Sequence, residues 1–118
     1  MIIPVLSYSQ VYELTYSYFE GMGEVKAKGT LEIIDDKKIK INQVIRKESF
    51  PMNYDVELFF DENGIKKYTT PDKGDVSTRL TFQKSDSGKK RQFSLMIDVV
   101  DNFNDRKMTS IYYMIKKE

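Results

Sequence analysis

Cysteine, histidine and tryptophan are all missing from this chain of 118 residues. Without them there can be no disulfide, no thiolate nucleophile, no Cys/His zinc site and no haem ligation by either residue. Every triad or acid–base step that needs an imidazole is excluded as well. Charge of one sign is lacking too. The 19 basic and 18 acidic residues leave a formal net charge of +1, so no overall excess draws the chain to nucleic acid or to an anionic membrane. No run approaches the roughly 18 apolar residues of a membrane-spanning helix. The opening Met1-Ile2-Ile3-Pro4-Val5-Leu6 is apolar but too short for a signal sequence, with no Lys or Arg before it and no small-residue cleavage pattern after it. A lipidation signal is absent. The expectation is a cytoplasmic chain with no membrane segment.

What is present is 40% hydrophobic and 31% charged, with 7 Phe and 8 Tyr, a balance typical of one globular domain spanning 1–118. Helical spacing is scarce, and alternation with period 2 recurs instead. Over 10–20, Tyr12, Leu14, Tyr16 and Tyr18 share one face. Over 24–34 it is Val25, Ala27, Leu31 and Ile33, and over 38–47 Ile39, Ile41 and Ile45. Residues 54–61 offer Tyr54, Val56, Leu58 and Phe60, and the short run 65–70 offers Ile65 and Tyr68. Then 76–84 gives Val76, Thr78, Leu80 and Phe82, 91–100 gives Phe93, Leu95, Ile97 and Val99, and 107–116 gives Met108, Tyr112 and Met114.

Turn chemistry separates these runs. Asp35-Asp36-Lys37 reads as a tight hairpin and Asn63-Gly64 as a turn where positive φ is cheap. Pro71-Asp72-Lys73-Gly74, Asp86-Ser87-Gly88 and 101–105 are similar, and Gly21 and Gly23 end the first run. Glu48 to Asn53, with Pro51, reads as the longest irregular link. Short connections predict an antiparallel meander of about eight strands, closing as a small barrel or strongly curved sheet, with a two-sheet β-sandwich as the alternative. Closure would protect the edges of so apolar a sheet.

The candidate sites follow from that frame. Asp55 and Glu57, with Glu13 and Glu32, could pair as glycosidase-like acids, but their alternation with a buried stripe reads as a solvated outer face. Asp98, Asp101 and Asp105, with Asn102 and Asn104, offer oxygen ligands, but not at EF-hand spacing, and Asp and Asn at hairpin turns bond the local backbone. No metal, no cofactor and no catalytic residue is expected.

The anomaly lies near the carboxyl end. After one face of each strand is given to the core, Met96, Val100, Ile111, Tyr113 and Ile115 remain on the opposite face, with Phe59 and Val11 or Phe19 as possible neighbours. Such a stripe marks a contact surface, with Ile111 and Tyr113 as anchors, unless the chain covers it itself with a strap formed by 1–6. The preferred expectation is a non-enzymatic protein-binding module of inhibitor, adaptor or immunity type, docking on another protein or on its own copy. The alternative is a single-stranded nucleic-acid binder using Lys89, Lys90 and Arg91 with nearby tyrosines, against which the even charge balance counts. A second alternative follows from architecture, which resembles small calycin-like barrels and implies a small ligand held inside. Inward aromatics such as Tyr16, Tyr18, Phe60, Phe82 and Phe93 look more like filling than lining.

Overall fold

Among the described residues ten strands follow one another along the chain and there is no helix. The computed structural model describes residues 9–71, 76–85 and 88–117, so the strap expected at 1–6 and the turns at 72–74 and 86–87 lie outside it. The strands are β1 (Ser9–Phe19), β2 (Gly23–Lys26), β3 (Lys28–Ile34), β4 (Lys38–Ile45), β5 (Glu48–Asp55), β6 (Glu57–Glu62), β7 (Ile65–Thr69), β8 (Val76–Lys84), β9 (Phe93–Asp101) and β10 (Arg106–Lys116). All pairings are antiparallel, in the order β5-β4-β3-β1-β10-β9-β8-β7-β6, with β2 beside β1. Two meanders, β1–β5 and β6–β10, are thus sewn together where β1 pairs β10. Of the forms expected from sequence, the strongly curved sheet is the one found. It curls through 215° of a full turn and stays open as a half-barrel between β5 and β6.

Eight expected strands become ten for two local reasons. The run 24–34 follows β1 throughout, but Tyr16 pairs Lys26 whereas Glu13 pairs Thr30, so one extra residue is inserted. That residue is the buried Ala27, whose N–H donates to Thr15 O at 2.9 Å; this bulge divides β2 from β3. The second reason is a turn the sequence does not advertise. Arg46 and Lys47 both adopt positive φ (52° and 68°) and close a two-residue hairpin between Ile45 and Glu48. The link Glu48 to Asn53 is therefore strand β5, not irregular chain.

Bulges overturn the expected facing of Tyr16 and Tyr18 on β1 and of Phe60 on β6. Register shifts between Leu14 and Tyr16, so Tyr12, Leu14 and Ser17 are buried inside while Tyr16 and Tyr18 turn to the convex face. A shift between Leu58 and Phe60 leaves Leu58 on the core and brings Phe60 under Lys67, whose Nζ is 5.1 Å from the ring centroid. Ile45, expected inside, keeps its phase on the unbroken β4 but is exposed because the strand ends there, leaving Gln43 as its last buried residue. An inserted residue reverses the inside–outside phase of everything beyond it, because the side-chain period is two.

The concave face holds one core: Leu14, Leu31, Ile33, Ile39, Ile41, Val56, Tyr68, Leu80, Leu95, Ile97, Tyr112 and Met114 with their neighbours. These side chains pack against one another as a single buried cluster. Where the wings of the half-barrel approach, a polar clasp joins them. The β3–β4 hairpin carries Asp36 across to β7, where its carboxylate accepts a hydrogen bond from Tyr68 Oη at 2.6 Å and pairs Lys66 Nζ at 3.2 Å.

The open edges are guarded in the backbone itself. Val56 N–H donates to Lys37 O at 2.9 Å, so the hydrogen-bonded rungs of β4–β5 are those at Tyr54, Met52, Phe50 and Glu48. Ser49, Pro51 and Asn53 point their backbone groups away from the sheet, and at Pro51 there is no N–H to offer an incoming strand. The other edge, β6, is broken by its bulge and carries Glu57, Asp61 and Glu62.

Burial of tyrosines sets the response to alkali. Burial, and then the bond to Asp36, pushes the Tyr68 hydroxyl far above its ordinary value. Burial, and then the neighbouring Tyr54, raises Tyr112 to about 12, and burial raises Tyr54. Unfolded tyrosine loses its proton near pH 10. Above that pH the unfolded chain therefore binds fewer protons than the folded one, and stability falls as pH rises, by about 1.4 kcal/mol per unit for each tyrosine still protonated in the fold. Urea midpoints should hold level to about pH 9 and drop beyond 10, and absorbance near 295 nm should show a tyrosine class that ionises only as the protein unfolds. A midpoint unchanged at pH 11.5 would contradict this.

Candidate functional site

Two surfaces stand out, one on each side of the sheet. On the convex side, β9 and β10 put Met96 directly opposite Ile111, and β1 puts Tyr18 opposite Ile111 in turn, giving an apolar row across three consecutive strands. All three are half-buried, and among the described residues no strand packs over them.

The neighbouring row pairs Tyr16 with Tyr113. Here Lys90 and Arg91, in the connection that leads into β9, fold over the sheet. The Arg91 guanidinium sits 4.7 Å from the Tyr16 ring centroid and 4.9 Å from that of Tyr113, and meets Glu24 at 2.5 Å. Thr15, at the β1 bulge, donates to Lys90 O and Tyr113 O, which pins that connection down. Ile115 lies beyond, half-buried beside Lys90. Val100 is on the same face but separate. Between it and Met96 stands Asp98, which accepts a hydrogen bond from Thr109 Oγ1 at 2.7 Å and pairs Lys107 at 3.7 Å. The five stripe residues thus form a compact group of four with Val100 set apart, and Tyr18 and Tyr16 join the group because of the β1 bulge. Val11 and Phe19 do not: Phe19 packs on the core, and Val11 sits near the far end of β1 opposite Glu32. Phe59 is on the distant edge strand, exposed.

Apolar groups also stand out in and beside the turns that end these strands. Met22, Phe103 and Met108 are 81%, 77% and 67% exposed, the three highest values for large apolar side chains among the described residues.

The second surface is the mouth of the half-barrel at the opposite end. The rings of Tyr12, Phe82 and Phe93 form its floor, with centroids 5.1–5.6 Å apart and Phe82 stacked on Phe93 at 10°. A cleft of about 600 Å³ lined by Lys84, Lys89, Gln92, Phe93 and Lys116 runs into a second of about 340 Å³ that shares Lys84, Phe93 and Lys116 and reaches Asp61 and Lys66. Sequence reasoning missed this place. Its signal was legible in the inward columns Leu80-x-Phe82-x-Lys84 and Tyr112-x-Met114-x-Lys116, each ending in a cation.

The basic triplet does not form one patch. Lys89 lines the mouth, Lys90 lines a different hollow with Tyr16 and Lys28, and Arg91 is held by Glu24. Asp55 and Glu57 are exposed on two different strands either side of Val56, not on one. Asp101 accepts from the backbone N–H groups of Phe103 and Asn104 and from Asn104 Nδ2, which holds its carboxyl below the usual range. Among the described residues no group of three or more carboxylates could hold a metal ion. None of them forms a helix long and apolar enough to cross a membrane.

No family model matches the chain, and neither a curated protein nor a solved structure matches it.

Proposed function

We propose that this chain is a non-enzymatic, cytoplasmic protein-binding module of inhibitor, adaptor or immunity type, docking through the convex face of β9, β10 and β1. The observation that supports this reading is the row Met96–Ile111–Tyr18, three large apolar side chains side by side on a sheet face that no other strand among the described residues covers. Tyr113, braced by Arg91, supplies a rigid aromatic at its border. The row is three side chains, each only partly exposed, which suits a transient contact with a different protein better than the extensive apolar surface of a permanent dimer.

A photo-crosslinking residue at position 96, in cells that naturally make the protein, should trap one discrete heavier species. The same residue at exposed Lys40 should not. Adding Ile111→Asp should abolish the adduct without lowering the melting temperature by more than a few degrees. No adduct, or equal adducts from both positions, would overturn the proposal. An adduct of twice the chain's own mass would overturn the choice of a different protein as partner.

A further inference from the structure

We infer that the mouth of the half-barrel is a second binding site, distinct from the convex row, and that it takes a small organic anion with an aromatic or apolar body. Three inward-facing columns change from apolar to cationic at this one end: Leu80, Phe82, then Lys84 on β8; Tyr112, Met114, then Lys116 on β10; Tyr68, then Lys66 on β7. Register places the pieces side by side. Lys84 is opposite Phe93 and Lys116 is opposite Tyr12, so two lysine stems run along the rim of the aromatic floor.

The charge is not cancelled equally. Lys66 is neutralised by Asp36. Among the described residues Lys84, Lys89 and Lys116 make no ion pair; Lys84 and Lys116 line both clefts, Lys89 lines the larger, and Asp61, in the smaller, is the one acid lining either. In a chain whose net charge is +1, this is a local concentration of positive potential beside a partly exposed ring, Phe93. An anion at the rim would meet two or three ammonium groups while its body lay against Phe93 and the ring cluster behind it. Lysine stems capping a core, with their charges in water, would give the same columns without any ligand. The two readings differ in whether the anionic group matters.

The probe that separates them is 8-anilinonaphthalene-1-sulfonate, compared with N-phenyl-1-naphthylamine, which has the same aromatic body and no charge. The sulfonate should bind one per chain and weaken with added salt, and the neutral amine should bind at least about tenfold more weakly. The double variant Lys84→Gln/Lys116→Gln should lose about tenfold in sulfonate affinity and leave the amine unchanged, while Lys84→Arg/Lys116→Arg should restore it. Both lysines are exposed, so these variants should fold, which thermal melting checks. Phe93→Leu should weaken both probes. Absence of sulfonate binding, equal binding of both probes, or an undiminished affinity in the double glutamine variant would overturn the inference. So would loss of the signal in Ile111→Asp, which would move the probe to the convex row and leave the docking proposal standing.

Discussion

Replacing Gly29 by alanine should cost about 3–5 kcal/mol, enough to leave a domain of this size largely unfolded at physiological temperature. Gly29 lies in β3 at φ +128°, in a region that L side chains rarely adopt, and a Cβ there would stand 1.9 Å from the carbonyl oxygen of Asn42 on β4. That neighbour is backbone in a ladder, so it cannot swing aside; relief would mean parting β3 from β4. Gly21 and Gly64 provide the comparison. They too have positive φ (87° and 76°), but nothing lies within 4 Å of their would-be Cβ atoms. Alanine at either should cost only the conformational strain, about 1–2 kcal/mol. Urea denaturation of the three variants checks the ordering. A Gly29→Ala protein as stable as Gly21→Ala would mean that β3 and β4 do not approach as described.

Asp36→Ala should be the next most damaging change, at about 2–3 kcal/mol. It leaves the hydroxyl of the fully buried Tyr68 with no acceptor and removes the carboxylate that bridges the wings. Most of that cost belongs to the stranded hydroxyl. The Lys66 and Asp36 side chains are 35% and 33% exposed, so the ion pair is screened and contributes less than about 1 kcal/mol. Tyr68→Phe keeps the ring in the core and removes the donor, at about 1 kcal/mol. The double variant Asp36→Ala/Tyr68→Phe should then be more stable than the sum of the two losses implies, by about 1 kcal/mol, because no orphaned group remains. Strict additivity in that cycle would show that the clasp is not a coupled pair.

The strands themselves were legible in the sequence because most bury a single face. Alternation such as Phe93, Leu95, Ile97 and Val99 has no other economical reading, and each of those residues does face the core. Asn63-Gly64 marked its hairpin for a backbone reason, with φ at 55° and 76°. Arg46-Lys47 adopts equally left-handed angles with side chains that gain nothing from them, so β5 was invisible until its pairing with β4 was seen. The bulges at Thr15, Ala27 and Phe59 were hidden for a different reason. Each is defined by a partner strand's register, and one strand's pattern does not contain it. That is why the convex row contains Tyr18, which periodicity had sent inside. Met96 and Ile111 could be named from alternation, but their adjacency is a property of the β9–β10 ladder. The mouth went unnoticed because lysine at a strand end is the ordinary device for keeping a sheet apart from others, and only the shared cleft distinguishes Lys84 and Lys116 from it.

The pairing of β1 with β10 has a consequence for how the molecule is made. Tyr12 meets Lys116, its partner 104 positions later in the chain (116 − 12), whereas the other strand neighbours are joined by local hairpins. Each meander can zip from its own turns, but the seam between them waits for β10, the last of the ten strands, to be synthesised and for a very long loop to close. Until then β1 presents one unsatisfied flank, and the inner faces of both meanders are wet. The middle of the finished sheet is therefore the last part to form, and in the nascent chain it is the part most in need of shielding from other molecules.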